Sequence, residues 1–197
     1  PRAYYRTVDD YIQGTAATNA AVIGVATLNS ETTPLVFSNV EAELYGADAG
    51  WGYGFNKQWR LDGNISYVRG KRRDIDDNLY RIAPLNSTVA LTHEQAKWSA
   101  TLEGVFVARQ HDISNTIVTN ETRTNNGDTP GYVLMNLSGQ WQPAHGLSLN
   151  AGIANLLDKN YIDHLSGFNR NSASDVAVGS RLPGLGRNVF ATVSYQW

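Results

Sequence analysis

The chain has 197 residues, a net charge of -2, no cysteine and only 17% charged residues, below the roughly 25% of a typical globular domain. These figures exclude disulfides and thiolate metal sites, and they offer no basic surface for a nucleic acid. No run of about 18 apolar residues occurs, so no helix is long and apolar enough to cross a membrane.

In chain order, residues 3–13 (AYYRTVDDYIQ) read as a strand, and a polar stretch containing Ala, Thr and Asn runs to about Pro34. Val36 to Phe55 forms one long strand. Its second half sets Tyr45, Ala47, Ala49, Trp51, Tyr53 and Phe55 against Gly46, Asp48, Gly50, Gly52 and Gly54. After a tight turn at Asn56–Gln58, the return strand alternates Trp59, Leu61, Gly63, Ile65 and Tyr67 with Arg60, Asp62, Asn64 and Ser66. Beyond a charged loop, strands follow at 85–93 and 98–108, joined by a short turn. A long polar loop covers roughly 110–131. Strands at 133–141 and 147–153 are joined by the turn Gln142–Gly146, and a last long loop runs from about Asp158 to Leu185. The terminal stretch GRNVFATVSYQW alternates Val189, Ala191, Val193, Tyr195 and Trp197 with smaller or polar residues, Phe190 excepted. Strict period-2 alternation predicts eight strands, and no stretch predicts a helix.

The connections separate the fold classes. Those after Phe55, Glu94 and Trp141 are short, and those after Gln13, Arg69, Arg109 and Leu157 are long and polar. In an up-and-down antiparallel sheet this puts every short turn at one end and every long loop at the other, the asymmetry of a transmembrane β-barrel. A Greek-key sandwich has no cause to segregate loops in this way. On the apolar face Trp59, Trp98, Trp141 and Trp197 lie beside the short-turn end, with Phe55 and Tyr195 near the same level. Indoles and phenols at one level form a membrane-interface girdle. The opposite face is built of Ser, Thr, Asn, Gln and Gly with some charge, as suits a hydrated lumen.

Ile153 to Tyr161 (IANLLDKNY) resembles the NLxDKxY segment near the C-terminus of TonB-dependent outer-membrane receptors. Gly184 to Trp197 resembles their closing strand, Val8–Ile12 (VDDYI) a mid-barrel strand, and Leu44–Gly50 (LYGADAG) their LYGxExG strand, with Asp48 where Glu is usual. The resemblance implies that residues 1–197 are the last eight strands of a plugged barrel of about 22 strands, the plug and first strands being absent. It implies placement in the bacterial outer membrane, among lipid and lipopolysaccharide. It also implies transport of a ferric-siderophore, cobalamin, haem or copper chelate, driven by the TonB–ExbB–ExbD complex through the missing N-terminal part, with no cofactor and no enzymatic chemistry. Val193, Tyr195 and Trp197 match the terminal signal read by the barrel-assembly machinery, although Phe is the usual last residue. The alternative is a complete eight-stranded barrel serving as an anchor or adhesin.

No nucleophile elbow or triad is spaced along the chain. His111 with Asp112, and His164 beside Asp163, sit in or beside long loops and could reach a metal chelate; solvated loop residues are the preferred interpretation. Arg170, in the last loop, is a further substrate-contact candidate on family resemblance. No metal site is assigned. Loop 72–82, with Arg72, Arg73, Asp74, Asp76, Asp77 and Arg81, could meet an anion or simply be solvated.

Overall fold

A computed structural model describes residues 1–28, 34–115 and 127–197. Eight antiparallel strands form one sheet in sequence order: β1 (Arg2–Ala16), β2 (Leu35–Gly54), β3 (Trp59–Arg72), β4 (Asn86–Glu94), β5 (Trp98–Val107), β6 (Tyr132–Ala144), β7 (Leu147–Ala154) and β8 (Asn188–Tyr195). Each strand pairs with the next, and β1 and β8 are not paired with each other. The wall is therefore open, with two edges, rather than a closed eight-stranded ring.

Register fixes which side chains share a face, because opposed residues in an antiparallel pair point the same way. Trp98 stands opposite Trp141, Trp59 opposite His93, and Leu147 opposite Tyr195. The rings of Trp59 and His93 lie 4.4 Å apart, and those of His93 and Trp98 5.1 Å apart. The aromatic level anticipated from the sequence is thus a contiguous row beside the short turns. Phe55, just past the end of β2, adds an edge contact with Tyr53 at 5.1 Å. Trp197 lies beyond the last paired residues and is fully exposed.

The other face holds a polar ladder. Ser66 donates to Asp48 (2.7 Å), Asn64 to Thr88 (2.6 Å), and Asn136 to Glu103 (2.8 Å), while the Thr92 and Thr101 hydroxyls meet at 2.9 Å. Cross-strand bonds of this kind suit a face that meets water rather than hydrocarbon. Phe190 is the exception on this face. It covers Gly152, where an added Cβ would come within 2.4 Å of the ring. Buried apolar residues are few among those described: Val40, Ala42 and Leu79, with Val8, Tyr11, Leu44 and Ile82 packed around them. The sheet is held by its ladders, not by a globular core.

Two expectations need correction. A helix is present, α1 (Ala20–Leu28), in the connection between β1 and β2. Its sequence AAVIGVATL is apolar on every side, so the helical period that would mark it is missing. Asn19 caps it, its Oδ1 accepting from the amides of Ala21 (2.9 Å) and Val22 (3.4 Å). Second, β6 continues past Trp141 to Ala144, with a register shift that accommodates Pro143. The following turn uses Gly146 at φ 76°, where a Cβ would meet the Gln196 carbonyl at 2.2 Å.

Because both edges are open, residues 1–197 expressed alone in detergent should not run as a heat-modifiable monomer in electrophoresis. A compact, heat-shifted monomer would show that eight strands close by themselves.

Candidate functional site

The long-loop end is knit inward from three segments. The loop after β3 turns back over the polar face: Leu79 N donates to Gly70 O (3.0 Å) and its side chain packs on Val40 and Ala42. Tyr80 N donates to the buried Gln13 Oε1 at 3.2 Å. Asp77, also buried, accepts from Ser114 Oγ (2.6 Å) and Asn115 N (2.7 Å), which ties this loop to the stretch after β5. Asn78 Nδ2 donates to Ile113 O (2.9 Å), and Arg69, at the upper end of β3, bonds Asn78 and pairs with Asp112. A cavity of about 290 Å³ opens here, lined by Arg69, Ile82, Pro84, Arg109, His111 and Asp112 among others.

Gln110 exchanges backbone bonds with Thr129 at 3.0 and 3.1 Å, and its Nε2 donates to Ile82 O at 2.8 Å. Thr129 Oγ1 lies 3.1 Å from His164 Nδ1, and Tyr132 donates to Asp163 at 3.1 Å. Arg181 closes the third segment: its NH1 donates to His164 O (2.7 Å), and its guanidinium lies over the Phe168 ring at 4.6 Å.

These contacts separate the four sequence-nominated residues. His111 and Asp112 share the cavity, with His111 Nε2 3.8 Å from Asp112 Oδ1 and most of the imidazole exposed. Arg170 lies on the exposed part of the last loop. His164 is only 4% exposed, with its ring turned into the loop packing. Burial, then the positive charge of Arg181, pushes its pKa down to about 4 from 6.5; Asp163 and Asp128 oppose this and Arg81 adds to it. His164 is a neutral latch between loops. Among the described residues no group of three His, Cys, Asp or Glu side chains could hold a metal ion. The centre of the 110–131 loop, residues 116–126, lies outside the described residues.

Sequence inspection passed over Arg69 and Arg109. Each lies near the end of a strand, β3 or β5, where a cation reads as an ordinary rim residue; Arg109 is two residues from His111, and only the fold brings Arg69 to the same cavity. In chemical terms the cavity offers guanidinium and imidazole donors to an anion, with Asp112 and Asp128 holding the two arginines.

The base of the last loop is a compact clasp. Asn155 and Asp158 adopt positive φ (51° and 52°), a conformation that Asn and Asp tolerate best after Gly. The buried Asn155 side chain donates to Lys159 O (2.9 Å) and Leu185 O (3.2 Å) and accepts from Lys159 N (2.8 Å). Asp158 Oδ1 accepts from Arg187 N at 2.8 Å. These bonds bring the chain back at Asn188, in register with Ala154.

The sequence matches the family model "TonB dependent receptor-like, beta-barrel" over residues 2–156. No curated protein matches it. Among solved structures it is similar to the copper transporter OprC, with 24% identity and a TM-score of 0.81. It is also similar to the FrpB iron transporter from Neisseria meningitidis (15%, TM-score 0.64) and to a mutant of the ferric enterobactin receptor PfeA from Pseudomonas aeruginosa (14%, TM-score 0.67). Each likeness covers 98% of this chain and 28% of the other.

Two outcomes follow. Asn155→Ala removes the three hydrogen bonds that the buried Asn155 amide makes to Lys159 and Leu185, each worth about 0.5–1.5 kcal/mol, so amide exchange across 156–187 should quicken while strand amides stay protected. Unlatched His164 takes up a proton at pH values where the latched form does not. Loop packing is then at full strength above about pH 6.5 and weakens as pH falls toward 4. Exchange of 163–182, corrected for intrinsic rate, should show that loosening, and His164→Gln should flatten it.

Proposed function

This chain belongs to the TonB-dependent receptor-like β-barrel family of the bacterial outer membrane, and we propose that it is the C-terminal wall of an active transporter for a scarce metal-bearing nutrient. The observation that carries the proposal is the open eight-stranded wall, which matches 28% of the length of each of three solved proteins whose names state copper or iron cargo. A wall of that extent is one portion of a larger cylinder, with its polar face toward the lumen and its aromatic row at the short-turn interface.

The cargo is an anionic metal chelate, taken first by the loop rim. Arg109 and His111 offer donors at the cavity mouth, the largely buried Arg69 lines the cavity in its pair with Asp112, and Arg170 lies on the last loop. Charged hydrogen bonds to a chelate's carboxylate, phenolate or hydroxamate oxygens are stronger than neutral ones, and the Arg109 and His111 side chains are open to water. Transport is driven through the N-terminal part by the TonB–ExbB–ExbD complex, and no bond in the cargo is made or broken. Val193, Tyr195 and Trp197, on the lipid-facing side of the terminal stretch, serve as the assembly signal. A closed eight-stranded anchor would need a β8–β1 ladder, which the sheet does not form.

Uptake by the complete protein tests this. Cells given radiolabelled iron as ferric-siderophores, or copper, should accumulate one class only when the receptor and TonB are both present. Arg109→Ala with His111→Ala should weaken cargo binding about tenfold while outer-membrane levels of the receptor stay unchanged. Uptake that ignores removal of TonB would refute active transport.

A further inference from the structure

The β1–β2 hairpin outreaches the rest of the wall. β2 pairs with β3 only from Ala42 to Gly54, whereas it stays paired with β1 up to Leu35 opposite Ala16. Register identifies the outer face of this extension. The lipid-side row of β2 passes through Tyr53, Trp51 and Ala49 to Tyr45, which stacks on Tyr5 across the strand pair. Above it on the same face come Glu43, Glu41 and Asn39, and then Phe37 and Leu35. On β1 the row runs from Thr7 through the bulge at Asp9 and Asp10 to Ile12. Asn39 Nδ2 donates to Asp10 at 3.2 Å, which places that acid on the outer face. Arg73 reaches Asp9 at 3.1 Å and Glu41 at 4.0 Å, and Lys71 stands opposite Glu43.

An acidic collar of Asp9, Asp10, Glu41 and Glu43, only partly offset by Arg73 and Lys71, therefore separates two apolar zones. The lower zone is the membrane belt. The upper zone has no such explanation. Phe37 is 86% exposed and Ile12 66%, and Leu35, the next residue up the same face, is 37% exposed. From Tyr45 to Phe37 the strand runs about 26 Å at about 3.3 Å per residue, a rise of about 20 Å at a barrel tilt of about 40°, with carboxylates between, so the hydrocarbon layer does not cover it. Isolated apolar side chains at a surface are ordinary; a contiguous apolar tip rimmed by charge marks a contact surface. A second copy would bring acidic collar against acidic collar, which is repulsive.

We infer that the outer face of this hairpin tip is a docking surface for a partner protein outside the cell that presents an apolar anchor ringed by lysine or arginine. Apolar burial supplies the affinity, and the collar supplies steering and selection. The inference rests on the outer-membrane placement and is independent of which cargo is carried.

The full-length receptor in lipid nanodiscs provides the test, with a displayed peptide library as the probe. Residues 1–197 contain no cysteine, so Phe37→Cys, with any cysteine elsewhere in the receptor replaced, reports access at that position to a membrane-impermeant maleimide. The expected result is rapid labelling, together with selected peptides that combine an apolar cluster and flanking Lys or Arg. Their binding should fall about tenfold or more with Phe37→Ser or Ile12→Ser, and should weaken with added salt and with Asp10→Asn plus Glu41→Gln. A thiol at position 37 shielded from the reagent, whether by lipid, by a second copy or by the receptor's own loops, would overturn the proposal. So would a library that yields no binders, or binders indifferent to these substitutions. Cargo uptake unchanged in Phe37→Ser would separate this surface from the transport function.

Discussion

In hydrocarbon, an unpaired backbone amide or carbonyl finds no water to bond, and each costs several kcal/mol. That constraint organises this chain. It explains why the described residues bury so few apolar side chains and still hold a single continuous sheet: ladder bonds and cross-strand pairs take the part that a core plays in a globular domain. It also gives the two unpaired edges, β1 and β8, their meaning, since within a membrane an open edge must be completed by further strands.

The two rims answer different demands. At the short-turn rim the chain needs only to reverse and to anchor at the headgroup level, and the row Trp59, His93, Trp98 and Trp141 does this with rings that are apolar in body and polar at one atom. At the long-loop rim the segments are too polar to bury against lipid and too long to stay ordered as isolated turns. They are held instead by buried polar groups, each with its own partners: Gln13 with Tyr80, Asp77 with Ser114 and Asn115, and Asn155 with Lys159 and Leu185. The cavity that brings Arg69, Arg109, His111 and Asp112 together follows from this knitting.

How far the site could be read in advance differed from residue to residue. His111 and His164 look alike as sequence: each is a loop histidine beside an aspartate. Only packing separates them, leaving the first open to solvent and turning the second inward against Thr129 with Arg181 behind it. Arg69 lies on a different strand from the loop that carries His111, a separation that no local pattern bridges. The Asn155–Tyr161 segment was recognisable by resemblance, whereas its physical role, a clasp built on two left-handed residues, became visible only with the carbonyl of Leu185 beside it.

By itself, the sequence determined the strands, the faces they present and the segregation of short turns from long loops, because a period of two and the composition of connections are local properties. It therefore also determined that this is a membrane wall and where its aromatic row lies. The helix Ala20–Leu28 escaped it, since a segment apolar on every side carries no period. Tertiary structure decided what depends on residues distant in the chain: which loop groups are buried, which line the cavity, and how far the β1–β2 hairpin rises above its neighbour. The terminal strand shows the division. Its alternation declared one apolar side, and only its pairing with β7 alone, leaving its other edge open, made it an edge of the sheet.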